Sequence, residues 1–222
     1  MVAGGAEELS AADAAIFDTL YATSQKNDTP KLTPAPYDVD RDGLVLGEGG
    51  CSLILEEYEH AKARGAKIYG EIIGFWTNCD ATHVTHPSVP TLQICLEQSL
   101  KQAGLAPRDI GYISAHGTGT SAGDVVESTA TSAVFGDTVP ISSLKSYFGI
   151  PCGVCGALET WLTMEMIREG CFCPTLNFRH VEPACAPLDY IMQDVRSVDS
   201  EFIQSNNFAF GGINTSIVIK RL

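Results

Sequence analysis

The sequence predicts a layered α/β fold. Short apolar runs rich in Ile, Val and Tyr alternate with helical runs along most of the chain, the pattern that places strands and helices in stacked layers. Small polar residues and glycines follow three of these apolar runs, as loops at strand ends do. The chain has 222 residues, 45% hydrophobic and 18% charged, which is a globular composition and enough to bury a sizeable core.

Residues 1–5 read as an internal strand running into a loop. A helix is predicted over 10–24, with Ser10 as N-cap, Asp13 three residues on, and Ala12, Ile16 and Leu20 on one face. Residues 27–41, rich in Pro, Asp and Thr, form a loop. Residues 43–56 read as two short strands, 44–46 and 52–55, joined at a Gly-rich turn. A short helix over 57–64 stops at Gly65, and 68–75 is a strand. Residues 91–103 are an amphipathic helix with Leu92, Cys95, Leu96, Leu100 and Ala103 at helical spacing. Then come a buried strand at 110–115, a helix at 125–135, a short strand at 139–142, and a long apolar helix at 156–168 closed by Gly170. Strand material at 190–191 and 205–208 precedes a final strand at 215–220.

The formal net charge is −13, which repels phosphate backbones and argues against nucleic acid or an anionic membrane as partner. No apolar run approaches the roughly 18–20 residues that span a bilayer. Residues 1–8 lack the basic and apolar regions of a secretory signal, so a cytoplasmic protein with reduced thiols is expected. Of the eight cysteines, Cys152 and Cys155 form a lone C-x-x-C, and Cys171 and Cys173 have only His180 nearby. A zinc site needs more ligands than that, so no metal is expected. The run from Gly149 to Gly156 reads as small residues that permit close backbone approach, and all eight cysteines as small buried hydrophobes.

The chemistry lies in the three loops. The first holds His116, Gly117, Thr118, Gly119 and Thr120, with Asp124 just after; the second, Ser142 to Ser146, includes Lys145; the third runs from Asn206 to Asn214. Sites in open α/β folds gather at strand ends, so these loops are expected to converge. A histidine at a strand end can donate to a developing oxyanion, and hydroxyls beside it can hold an amide-rich substrate arm.

Taken in order, these segments resemble the β-ketoacyl-ACP synthases, condensing enzymes of the thiolase fold, and most closely the elongating synthases of fatty acid and type II polyketide systems. The resemblance covers nearly the whole chain. It rests on Ala3-Gly-Gly-Ala-Glu7, Arg41-Asp-Gly-Leu-Val-Leu-Gly-Glu-Gly49, Leu55-Glu-Glu-Tyr-Glu-His-Ala-Lys62, His116-Gly-Thr-Gly-Thr120, Lys145-Ser146 and Asn207-Phe-Ala-Phe-Gly-Gly-Ile-Asn214. It implies a five-layered α-β-α-β-α fold. Residues 1–65 would be the tail of the N-terminal ketosynthase half, and 66–222 the C-terminal half. It implies that His116 polarises a thioester carbonyl, that Thr118 and Thr120 bind the pantetheine arm, and that Lys145 orients the histidines while held by Glu159. The Phe210 N–H would form part of an oxyanion hole and its ring would gate the acyl pocket, with Phe208 beside it, while Gly211 and Gly212 would let the loop turn close to the site. The plainer alternative to these roles is an ordinary ion pair for Lys145 and Glu159 and core packing for the two phenylalanines. No bound cofactor is implied, because phosphopantetheine arrives on the acyl carrier protein.

Two departures stand against this pattern. The family's nucleophilic Cys, in a Thr-Ala-Cys-Ser-like turn, has no counterpart, since Cys51 aligns with a strand position. The second catalytic His follows Lys-Ser-x-x-Gly, and here Ile150 stands in its place. Isoleucine donates no hydrogen bond, and losing one oxyanion donor costs about 10²–10³ in rate. The expected partners are therefore an acyl carrier protein and either a chain carrying the N-terminal half or an active ketosynthase, in a dimeric assembly, unless the chain is part of a longer protein. The resemblance leaves three readings: a synthase subunit, a chain-length-factor-like helper that shapes a partner's acyl tunnel, or an enzyme doing other acyl-thioester chemistry with one His.

Overall fold

The structure is a computed structural model that describes residues 1–222. Its elements in chain order are β1 (Val2–Glu7), α1 (Ala11–Thr19), β2 (Gly49–Ile54), α2 (Tyr58–Ala63), β3 (Glu71–Cys79), α3 (Val89–Ala103), β4 (Ile110–Ser114), α4 (Ser121–Phe135), β5 (Pro140–Ser142), α5 (Lys145–Phe148), α6 (Cys155–Glu169), β6 (Cys171–Phe172), β7 (Asp189–Tyr190), β8 (Arg196–Ser197), β9 (Phe202–Ala209) and β10 (Ile213–Lys220). A six-stranded sheet runs β3-β10-β9-β4-β5-β7. β10 is antiparallel to both β3 and β9, whereas β9, β4, β5 and β7 run parallel. The parallel strands send their C-terminal ends to one edge, where the three loops emerge.

Helices cover both faces because the central strands are apolar on both. Ile113 and Val218 join Leu92, Leu96, Leu100 and Ile141 in a core under α3 and α4. Their chain neighbours Tyr112 and Ile219 point the other way, into a second core with Met166, Ile167 and Ile203 under α6. On its other side α6 meets β1 and β2, which pair antiparallel as a separate sheet. The order of layers is thus helices, six-stranded sheet, α6, two-stranded sheet. That approach needs glycine: a Cβ on Gly5 would lie 1.8 Å from the Gly153 carbonyl oxygen, and one on Gly153 2.6 Å from that of Ala6. The small-residue run before α6 therefore packs backbone on backbone, as its sequence predicts.

Several local expectations need correction. The first helix has the expected Ser10–Asp13 capping box but ends at Thr19; Ile16 is exposed, and Phe17 packs inward on Phe210. Residues 44–46 are not a strand. Their backbone is shared between Ala22 and Ser24 on one side and Ile150 on the other, so no ladder forms. The strand at residues 1–5, whose sheet neighbours the sequence reading places outside this chain, pairs here with β2. β3 starts three and ends four residues later than predicted, because its ladder with β10 runs from Glu71 to Cys79. Of the cysteines only Cys95, Cys155 and Cys185 are buried, while Cys79 and Cys152 are exposed. No helix is long and apolar enough to cross a membrane.

Candidate functional site

The loop after β4 is shaped by two carboxylates on α4. Glu127 accepts the backbone N–H groups of His116 and Gly117, each at 2.7 Å. Asp124 accepts those of Thr118 and Gly119, each at 3.1 Å. Four consecutive amides are thus bound by α4 side chains, and Asp124 lies in the helix's first turn, where a carboxylate is favoured. Arg41 braces the same corner, with Nε 3.5 Å from Asp124 and Nη1 2.7 Å from Glu182. Ser143 Oγ donates to the Gly117 carbonyl at 2.6 Å and ties the second loop to the first.

Lys145 and Glu159 are both fully buried and form an ion pair. α5 carries the lysine, α6 the glutamate, and Asn207 on β9 donates to the second carboxylate oxygen at 3.1 Å. Burial pushes the Glu159 carboxyl above its ordinary range, partly offset by Lys145 and the Asn207 bond, while the Glu159 carboxylate overcomes burial at Lys145 and holds its ammonium above its own range. Burial, reinforced by the positive charge of Lys145, holds the His116 imidazole well below the ordinary histidine range, so it is neutral at pH 7. Its Nδ1 is buried without a hydrogen-bond partner. Burial pushes Asp124 up to about 7, against the Tyr37 N–H and Arg41, with Glu127 adding to the rise.

His116, Thr118, Thr120, Phe208, Phe210 and Gly212 line one cleft of about 510 Å³. The His116 and Phe208 rings meet edge to face at 6.2 Å, and the hydroxyls of Thr118 and Thr120 are 2.9 Å apart. Gly211 and Gly212 take φ of +84° and +74°, which turns the chain sharply after Phe210. A Cβ on Gly212 would lie 2.7 Å from that of Asp80. Lys145 and Glu159 stand behind the cleft and not in it. Ile150 does not line this cleft; it packs with Leu44 and Cys155 in a cluster that Phe210 also contacts, and borders a second cavity of about 400 Å³ that also meets Phe17 and Cys152. Phe17 and Phe210, one ring from each cavity, meet tilted at 57° with centroids 5.5 Å apart.

Sequence reasoning missed Glu127, Asn207, Tyr37 and the Val84–Thr85 side of the cleft. The spacing of Asp124 and Glu127 on α4, both on the helix side facing the loop, was the one signal for the carboxylate cradle. His83 and His86 pack on each other outside the cleft lining, and no cluster of His, Cys, Asp and Glu is arranged to hold a metal.

Known proteins resemble this chain in sequence and in fold. The family model described as beta-ketoacyl synthase, C-terminal domain, matches residues 69–179. The chain is 40% identical over 228 residues to 3-oxoacyl-[acyl-carrier-protein] synthase 2 of Coxiella burnetii, covering 100% of this chain and 55% of that protein. The crystal structure of a beta-ketoacyl synthase from Burkholderia phymatum superposes with a TM-score of 0.99 at 57% identity, over 100% of this chain and 54% of that one. The ishigamide ketosynthase/chain length factor gives 0.91 at 34%, over 100% and 53%. A type II polyketide ketosynthase in complex with its acyl-carrier protein gives 0.93 at 34%, over 100% and 56%. The chain spans about half the length of the curated relatives it matches.

Proposed function

The chain belongs to the β-ketoacyl synthase family, and from that premise we propose that it forms the carrier-facing half of a 3-oxoacyl-ACP synthase-type site in a fatty acid or polyketide system. Residues 66–222 are read as the C-terminal ketosynthase half and 1–65 as the tail of the N-terminal half. The observation that carries this is the single cleft lined by His116, Thr118, Thr120 and Phe210. Thr118 and Thr120 hold the amides of a phosphopantetheine arm brought in by an acyl carrier protein. In this reading the neutral His116 carries its proton on Nε2, leaving the unpartnered Nδ1 its lone pair, and donates to the thioester oxygen. Lys145, Glu159 and Asn207 fix the electrostatics behind the ring. Phe210, tilted against Phe17 and followed by Gly211 and Gly212, closes the acyl side. No resident cofactor is required, and the proposed setting is the cytoplasm, where the eight free thiols stay reduced.

A second reading, a helper subunit shaping a partner's acyl tunnel, is favoured by Ile150. Its side chain is 6% exposed in an apolar cluster with Leu44 and Cys155 and adds no donor to the site. Either reading places a partner or further chain against β1 and β2. The test is carrier-dependent acyl loading or pantetheine crosslinking of the assembled protein. Replacing Thr118 and Thr120 with Val should slow loading about tenfold or more, one hydrogen bond being worth roughly 0.5–1.5 kcal/mol. Unchanged loading would overturn the assignment of the arm to these hydroxyls.

A further inference from the structure

Tyr37 lies on the long loop between α1 and β2, far in sequence from the His116 loop, yet it reaches that loop directly at Gly117 and through the two α4 carboxylates that hold it. Its backbone N–H donates to Asp124 Oδ2 at 2.7 Å. Its hydroxyl donates to Glu127 Oε2 at 2.9 Å. Its ring edge packs on Gly117, where an added Cβ would lie 3.1 Å from Tyr37 Cε2. The ring is held in turn by Tyr190 and Phe178, with centroids at 5.0 and 6.1 Å, and the side chain is fully buried. The backbone at Tyr37 has φ of +64°, a conformation that a non-glycine residue keeps only when its surroundings enforce it.

We propose that Tyr37 is a positioning residue for His116, acting through Glu127. Glu127 Oε2 receives both the Tyr37 hydroxyl and the Gly117 N–H, while Oε1 receives the His116 N–H. Burial pushes the Glu127 carboxyl up, and these three donors are what favour its charged, acceptor-only form. Without the hydroxyl, Oε2 keeps one donor and the carboxylate is free to rotate or take up a proton. Either change loosens the two amides that set where the His116 ring points. The role is tied to the proposed reading of the site, but its test does not depend on that reading.

The experiment is amide hydrogen exchange at His116 and Gly117 in the assembled protein containing this chain, for the native form, Tyr37→Phe, Glu127→Gln and the double variant. Tyr37→Phe keeps the ring and the bond to Asp124. Exchange at His116 and Gly117 should rise about tenfold, with the amides of β4 and β9 unchanged and the His116 ring signals shifted. The double variant should exchange no faster at these amides than Glu127→Gln alone, because the hydroxyl acts only through that carboxylate. Unchanged exchange in Tyr37→Phe, a rise spread evenly over β4 and β9, or additive effects would overturn the proposal. Local loosening in a protein that loads no acyl group would leave the Tyr37 role standing and remove the acyl-carrier reading.

Discussion

Replacing Lys145 with Met removes the cation of a pair in which both side chains are 0% exposed. Glu159 is then a buried carboxylate whose one remaining side-chain partner is Asn207 Nδ2, at 3.1 Å. Breaking a buried pair by deleting one partner costs about 3–5 kcal/mol. The retained Asn207 bond puts the expected loss near the lower end, about 3 kcal/mol. Lys145→Met with Glu159→Gln removes both charges and keeps an acceptor for Asn207, so it should recover most of that loss and sit within about 1.5 kcal/mol of the native protein. The assay is urea unfolding of the assembled protein, comparing midpoints at unchanged slope. A loss under about 1 kcal/mol in Lys145→Met, or no recovery in the double variant, would refute the claim that the two charges depend on each other.

Two further outcomes follow from the same geometry. The His116 imidazole should remain neutral from pH 7 to below its ordinary value of 6.5, so any stability it contributes is present above 6.5 and falls away as pH drops toward the lowered value. Its ring proton shifts, followed by NMR, should titrate higher in Lys145→Met than in the native protein, and a native midpoint at or above 6.5 would contradict the burial argument. Gly212→Ala forces a side chain onto a backbone at φ +74° and within 2.7 Å of Asp80 Cβ. It should cost about 1–3 kcal/mol and slow acyl loading by displacing Phe210, as measured by unfolding midpoint and loading rate.

Much of the fold could be read because the relevant signals are local. α3 was legible from its apolar spacing, and the structure ends it at Gly104 with φ of +71°; the Pro in its first turn obscured only where it starts. The His116 loop was legible as glycine and hydroxyl residues directly after a buried strand. Residues 44–46 misled because an apolar run says nothing about how many segments will share its hydrogen bonds, and here two do. Phe17 was passed over for Ile16 because the first helix is bordered by few buried contacts, and its orientation is set by Phe210 from far along the chain. The pairing of Lys145 with Glu159 came from the family resemblance and not from spacing. Tyr37 and Glu127 meet across 90 residues, and no local pattern encodes that contact.

The central claim is that the cleft holds a carrier-borne thioester around a single imidazole, with Ile150 adding no second donor. Release of CO2 from malonyl carrier protein by the assembled protein tests it most directly, run beside His116→Ala and Ile150→His forms. The account predicts that the native site binds the malonyl carrier but releases CO2 slowly, about 10²–10³ below a site with both donors. Rapid release by the native protein, abolished in His116→Ala, would contradict it by showing that one histidine suffices.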